Sequence, residues 1–200
     1  KKLLNFIEAD VIYKKILNID PNYIHGLNNY ANLKVEINNY NDAISLLKKA
    51  LLIAGQKNFQ ALNIMLSLAG IYQSINDLKN LRNILNEIFK IDSKCARAHK
   101  ILSEITKYST DNSISMSHID EMIKIQKDPN LDIDDKIILS FSIGKSFEDL
   151  KNYKSELKWF DGAWSRFKPG LGKDKRGASG VNKDKLLKVG KKIFSIPLDF

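Results

Sequence analysis

Apolar residues recur along this chain three and four positions apart, the spacing of one face of an α-helix. The stretch NYNDAISLLKKALLIAG, residues 39–55, carries the pattern clearly. Ile44, Leu46, Leu47 and Leu51 make an apolar face, and Ala43 and Ala50 interrupt it seven positions apart. Small residues where larger ones would fit imply that a second helix backbone comes close there. Thirty-four positions before Ala43 stands Ala9, in EADVIYKKILNIDPN. Tyr13 and Pro21 follow Ala9 at the offsets by which Leu47 and Gly55 follow Ala43.

The other helical stretches repeat a large, large, small order. IHGLNNYANLKVEI supplies Leu27, Tyr30 and Ala31. LNIMLSLAGIYQSINDLKNLRNILNEIFKIDS supplies Met65, Leu68, Ala69 and Tyr72, then Leu81, Leu85 and Ile88 on a second helix. This unit starts late, which predicts a longer turn around KNFQA. ARAHKILSEITKY places His99, Leu102 and Ser103 in the same order, followed by an irregular second helix. IILSFSIGKSFEDLKNYKSELKWFDGAW places Ile143, Gly144, Phe147, Tyr153, Phe160 and Ala163.

A helix pair of about 34 residues with these signatures resembles the tetratricopeptide repeat (TPR) superfamily. The resemblance covers about residues 1–105 and again 137–165. It implies an all-α fold, a right-handed superhelical stack of antiparallel helix pairs with a concave inner surface. A plain helical bundle with coincident spacing is the alternative. Two positions depart from the repeat: Lys34 stands where an aromatic usually sits, and Glu156 where an alanine does.

The expected organisation is TPR-like repeats over 1–108 (the first partial), an irregular insert with a short helix over 109–131, a further helix pair over 132–167, and a basic linker with a short helix over 168–200. Within the insert, Ile119, Met122 and Ile123 face inward and the helix stops before Pro129. Asp132, Asp134 and Asp135 favour a helix start.

Composition narrows the function classes. The chain has 200 residues, 44% hydrophobic and 28% charged, as expected of a globular protein. No apolar run reaches the roughly 18 residues that a membrane span needs. One cysteine, Cys95, allows no internal disulfide, which suits a reducing compartment and a cytoplasmic location. It is read as a packing residue. Lys1 is not a start methionine, so the chain is expected to be a piece of a longer one. Of the net charge of +9, residues 168–192 carry +7, so any nucleic-acid argument concerns that tail alone and is not favoured.

Catalytic and metal chemistry find little support. GLGKDKRG fits neither phosphate-binding glycine motif. DIDD, residues 132–135, lacks the glycine and closing glutamate of a calcium loop. His25, His99 and His118 are far apart in sequence, without further ligands at metal spacing, and His99 is expected to pack. No catalytic residue, cofactor or metal is assigned.

The resemblance instead points to the inner surface, where helix A positions 2, 5, 9 and 12 of each repeat lie. These are His25, Asn28, Asn32 and Val35, then Asn63, Leu66, Gly70 and Gln73, then Arg97, Lys100 and Glu104. Asparagine offers both donor and acceptor and so suits an extended peptide backbone. Plain solvated polar residues are the equal alternative. Of the two-carboxylate clamp of some TPR proteins, Asn32 and Arg97 match while Asn28, Ser67 and Ile101 do not.

A narrower resemblance lies in the order of parts. AHKILSEITKY, a polar insert, MIKIQKDPNLDIDDKIILSFSIGKSFEDLKNYKSELKWF and a lysine-rich connector are similar to bacterial proteins that join TPRs to a sulfotransferase domain. That implies the non-catalytic N-terminal part of a larger bacterial protein. Its partner is a protein or peptide in the groove, or it presents substrate to a catalytic domain beyond Phe200. The cofactor phosphoadenosine phosphosulfate (PAPS) would belong to that domain and not to this segment.

Overall fold

The computed structural model describes residues 2–55, 58–152, 155–156 and 158–159. Tyr153, Phe160, Ala163 and the basic stretch 168–200 lie outside the described residues. Among the described residues there are eight α-helices and no strand. The chain divides into two compact units at Ser93 and Lys94.

The first unit holds α1 (Lys2–Ile19), α2 (Ile24–Glu36), α3 (Tyr40–Ala54), α4 (Phe59–Ser74) and α5 (Leu78–Ile91). Each helix packs on the next in sequence. The alanines that interrupt the apolar faces do what their size suggests. Ala31, Ala43 and Ala50 have no exposed surface, and nor does Leu47 between them, so α2 and α3 pack backbone to backbone. α4, with α3 and α5 packed on it, buries residues around most of its circumference. α5 buries a single stripe, Leu81, Leu85 and Ile88.

Side chains define the helix starts. Asn39, Asn58 and Asp77 each accept a hydrogen bond from the backbone N–H three residues on, at Asp42, Ala61 and Asn80. Each such cap stabilises its helix by about 1 kcal/mol. Asn58 also donates to the Ala54 carbonyl at 2.7 Å, which ties the two sides of the long α3–α4 turn together.

One turn recurs. Asn38, Asn76 and Lys151 have φ of 58°, 56° and 55°, the left-handed region. In each case that residue donates to the carbonyl three positions back, and its successor to the one five back: Asn39 to Lys34, Asp77 to Tyr72, Asn152 to Phe147. This hydrogen-bond pair closes a helix C-terminus, and the successor then caps the next helix. The motif therefore ends α2, α4 and α8 alike. Its sequence signal is a hydrophobic residue, Asn or Lys, then Asn or Asp.

Lys34 is buried, and its setting explains the missing aromatic. Its Nζ lies 2.7 Å from Asp10 Oδ1 and 4.8 Å from the Tyr30 ring centroid. The Tyr30 hydroxyl donates to the same oxygen at 2.8 Å, and Tyr13 stacks on Tyr30. Lys14, Lys34 and Tyr30 together hold the Asp10 carboxyl well below its ordinary range. A salt-bridged cation over a ring fills the space an aromatic would take.

The second unit holds α6 (Ala96–Ile105), α7 (Ser113–Gln126) and α8 (Ile133–Asp149). The insert over 109–131, expected to hold a short helix, contains one of 14 residues. α8 packs on both α6 and α7. Their shared core is Ala96, Tyr108, Ile119, Met122, Ile125, Leu139 and Ile143, with Trp159 and Phe147 against it. Asp132 caps α8 through the Asp134 N–H at 2.8 Å, and Asn152 accepts from the Ser155 N–H at the next helical start. No described helix is long and apolar enough to cross a membrane.

Candidate functional site

The residues singled out in sequence fall on the first helix of each pair. In the first unit His25, Asn28 and Asn32 lie on α2, and Asn63 and Gln73 on α4. α2 and α4 each pack on α3, which holds the two at one spacing. His25 is exposed, with its ring 6.0 Å from that of Tyr23. Asn28, Asn32, Asn63 and Gln73 are half-buried, so backbone and neighbours restrict their amides. Asn28 is the most constrained: its Oδ1 is buried and accepts no hydrogen bond among the described residues. A Cβ added to Gly70 would meet nothing within 4 Å, so α4 leaves open space beside these amides.

Arg97 and Lys100 lie on α6 in the second unit, both half-buried, and Lys100 is 3.8 Å from Glu104. Ser67 and Ile101, two of the three clamp positions that fail to match, are buried.

Two histidines that are far apart in sequence meet. His99 on α6 and His118 on α7 stack at 5.2 Å, with Nδ1 of His99 3.0 Å from Nε2 of His118. The Tyr108 hydroxyl lies 2.7 Å from the other nitrogen of His118. The expectation of separate histidines is thus corrected for this pair. The loop 106–112 turns α7 back on α6, a consequence of loop length that helical spacing does not encode. Burial pushes Tyr108 up to about 12, against the Ser146 hydroxyl. Burial, then the His99 ring, push His118 down to about 4. The trio is enclosed: His99, His118 and Tyr108 are all buried.

Beside it Lys145 donates to the Ser103 and Thr106 carbonyls and to Asp149, each at 2.7 Å. A cation there satisfies the carbonyls that a helix C-terminus leaves free. Asp149 also accepts from Lys107 and from the Tyr108 N–H. Burial pushes its carboxyl up, but these hydrogen bonds outweigh it and leave it below its ordinary value. Among the described residues no group of three or more His, Cys, Asp or Glu could hold a metal ion.

Sequence reasoning missed a second polar surface in the first unit. A cavity of about 580 Å³ is lined by Lys48 of α3, Tyr72 of α4, and Asn80, Asn83, Asn86, Glu87 and Lys90 among the residues of α5. The signal was present in the asparagines of LKNLRNILNEIFK, which read alone as a solvated face.

No family model matches the chain, and no curated protein matches its sequence. Solved structures do. Two crystal structures of MamA share 22% and 23% identity, with TM-scores of 0.57 and 0.55. They cover 83% and 82% of this chain, and 91% and 84% of their own. YrrB, a TPR protein with an unusual peptide-binding site, shares 13% identity at a TM-score of 0.56, over 95% of this chain and 86% of its own. At these identities the likeness shows the fold alone: an all-α helical-repeat solenoid.

Proposed function

We propose that this chain is a protein-binding scaffold that holds an extended segment of its partner against the polar residues of α2 and α4. The observation that carries the reading is Asn28 Oδ1, a buried acceptor with no donor among the described residues. Such an atom costs about 1–3 kcal/mol while it has no donor, which favours a turn of the amide toward the helix surface to meet a backbone N–H of a bound peptide. His25, Asn32, Asn63 and Gln73 supply further polar contacts, and the space beside Gly70 admits the ligand backbone. Arg97 and Lys100, on α6 of the second unit, are assigned to carboxylates of a partner as a separate contact of that unit. YrrB, of the same fold, is described as having a peptide-binding site, which supports the class.

The test is an array of immobilised peptides probed with the full chain and with an Asn28→Ala, Asn32→Ala double variant. Loss of the bound spots, about tenfold or more in affinity, is expected. Undiminished binding by the variant would sink the assignment.

A narrower reading makes the chain the cytoplasmic, substrate-presenting region of a bacterial PAPS-dependent sulfotransferase. Its support is the order of parts in the sequence, and the connector that matters most, 168–200, lies outside the described residues. Reading the coding DNA past Phe200 tests it: a catalytic domain with a phosphosulfate-binding loop supports the idea, and its absence ends it.

A further inference from the structure

The cavity on α3, α4 and α5 has the chemistry of a second ligand site, separate from the α2 and α4 residues above. Its floor is Tyr72, only 6% exposed, whose hydroxyl makes no hydrogen bond among the described residues although the ring is enclosed. Its wall is one face of α5: Asn80, Asn83, Glu87 and Lys90, with Ile84 among them and Asn86 beside them. The Asn80 amide N–H₂ is spent on Asp77 at 2.7 Å, which fixes that side chain and leaves its carbonyl side open. The side chains of Asn83 and Asn86 have no partner among the described residues. Lys48 faces the stripe from α3, without an ion pair among the described residues, and Lys90 stands at the far end, 2.6 Å from Glu87. At about 100° per residue, Tyr72 lies on the opposite side of α4 from Asn63, so the two surfaces do not overlap.

We propose that this cavity binds an extended peptide segment bearing carboxylates. Three amides in a row offer donors and acceptors together, the complement of a peptide backbone. A phosphate chain would use the donors only and would meet the Glu87 carboxylate. The stripe from Asn80 to Lys90 runs about 15 Å at about 1.5 Å per residue. That is the length of about four or five extended residues. The lining carries two ammonium groups against one carboxylate, so a side-chain carboxylate placed near Lys48 completes the charge pairing.

Random heptapeptides displayed on phage and selected on the full chain test this. Acidic sequences should be enriched. Their synthetic versions should bind Tyr72→Phe and Asn83→Ala about tenfold more weakly, and Asn32→Ala as tightly as the parent chain. The asparagine is exposed and the tyrosine change removes one hydroxyl, so both variants fold, which circular dichroism verifies. Acidic peptides lost with Asn32→Ala instead would assign them to the α2 and α4 face and overturn the proposal. So would selection without acidic enrichment, or equal capture of an oligothymidylate that competes with the peptides.

Discussion

His99 and His118 share a single hydrogen bond, 3.0 Å between Nδ1 of one ring and Nε2 of the other, inside the second unit. One proton serves that contact, so both rings cannot be protonated without opposing two N–H groups. His118 titrates near 4 in the folded chain, below its ordinary 6.5. A depressed histidine means that the folded state binds fewer protons than the unfolded state. The contribution is complete above about pH 6.5 and is lost as pH falls toward about 4, up to about 3 kcal/mol. Urea melts from pH 7.5 to 4.5 should show this slope. His118→Gln, which keeps hydrogen-bonding capacity but does not titrate, should flatten it in that window.

Lys145 joins the end of α6 to α8, and its loss should be felt through the carbonyls it leaves behind. Lys145→Met retains the aliphatic stem but strands the Ser103 and Thr106 oxygens and one contact to Asp149. A cost of about 2–3 kcal/mol is expected from groups that lose a charged donor. Lys107 pairs with the same aspartate, but its side chain is 83% exposed. Lys107→Met should therefore change stability by less than about 1 kcal/mol. Equal losses in the two variants, measured by denaturant titration, would contradict this account.

The repeat was legible because burial in a stacked helix pair follows helical spacing. Ala31, Ala43, Ala50, Leu81, Leu85 and Ile88 could be placed inside from their offsets alone, and they are inside. Lys34 could not, since a lysine signals solvent until its partner is known, and Asp10 stands 24 positions away on another helix. The His99–His118 contact depends on how the loop 106–112 closes, which carries no period. The asparagines of α2 and α4 and those of α5 look alike in sequence. Only three-dimensional placement separates an amide over a cavity from one in bulk water. The recurring left-handed turn was legible in principle, in INN, IND and LKN, but weakly, because asparagine serves many turns.

Ala43→Leu tests the close approach of α2 and α3. Ala43 and its neighbour Ala31 have no exposed surface, so three added carbons have no room without separating the helices. Overpacking of this kind costs about 1–3 kcal/mol. Leu52 on the same helix is 84% exposed, and Leu52→Ala should leave the melt nearly unchanged. A thermal melt indifferent to Ala43→Leu would show that the two backbones do not need the small side chain.

Lys151 offers the opposite result, a substitution that stabilises. Its φ of 55° is shared with Asn38 and Asn76, but lysine lacks the short amide that makes the left-handed region tolerable for asparagine. The backbone bonds from Lys151 to Glu148 and from Asn152 to Phe147 hold it there regardless. Lys151→Gly removes the Cβ strain, worth about 1–2 kcal/mol. Part of that gain is offset by the greater freedom of glycine in the unfolded chain, about 0.5–1 kcal/mol. A net gain of about 0.5–1 kcal/mol is expected, read as a higher urea midpoint with an unchanged slope. Asn76→Gly, at the same place in the first unit's turn, should gain less, because asparagine already tolerates the conformation. A larger gain at Asn76 than at Lys151 would mean that side-chain hydrogen bonding, rather than backbone strain, decides the stability of this turn.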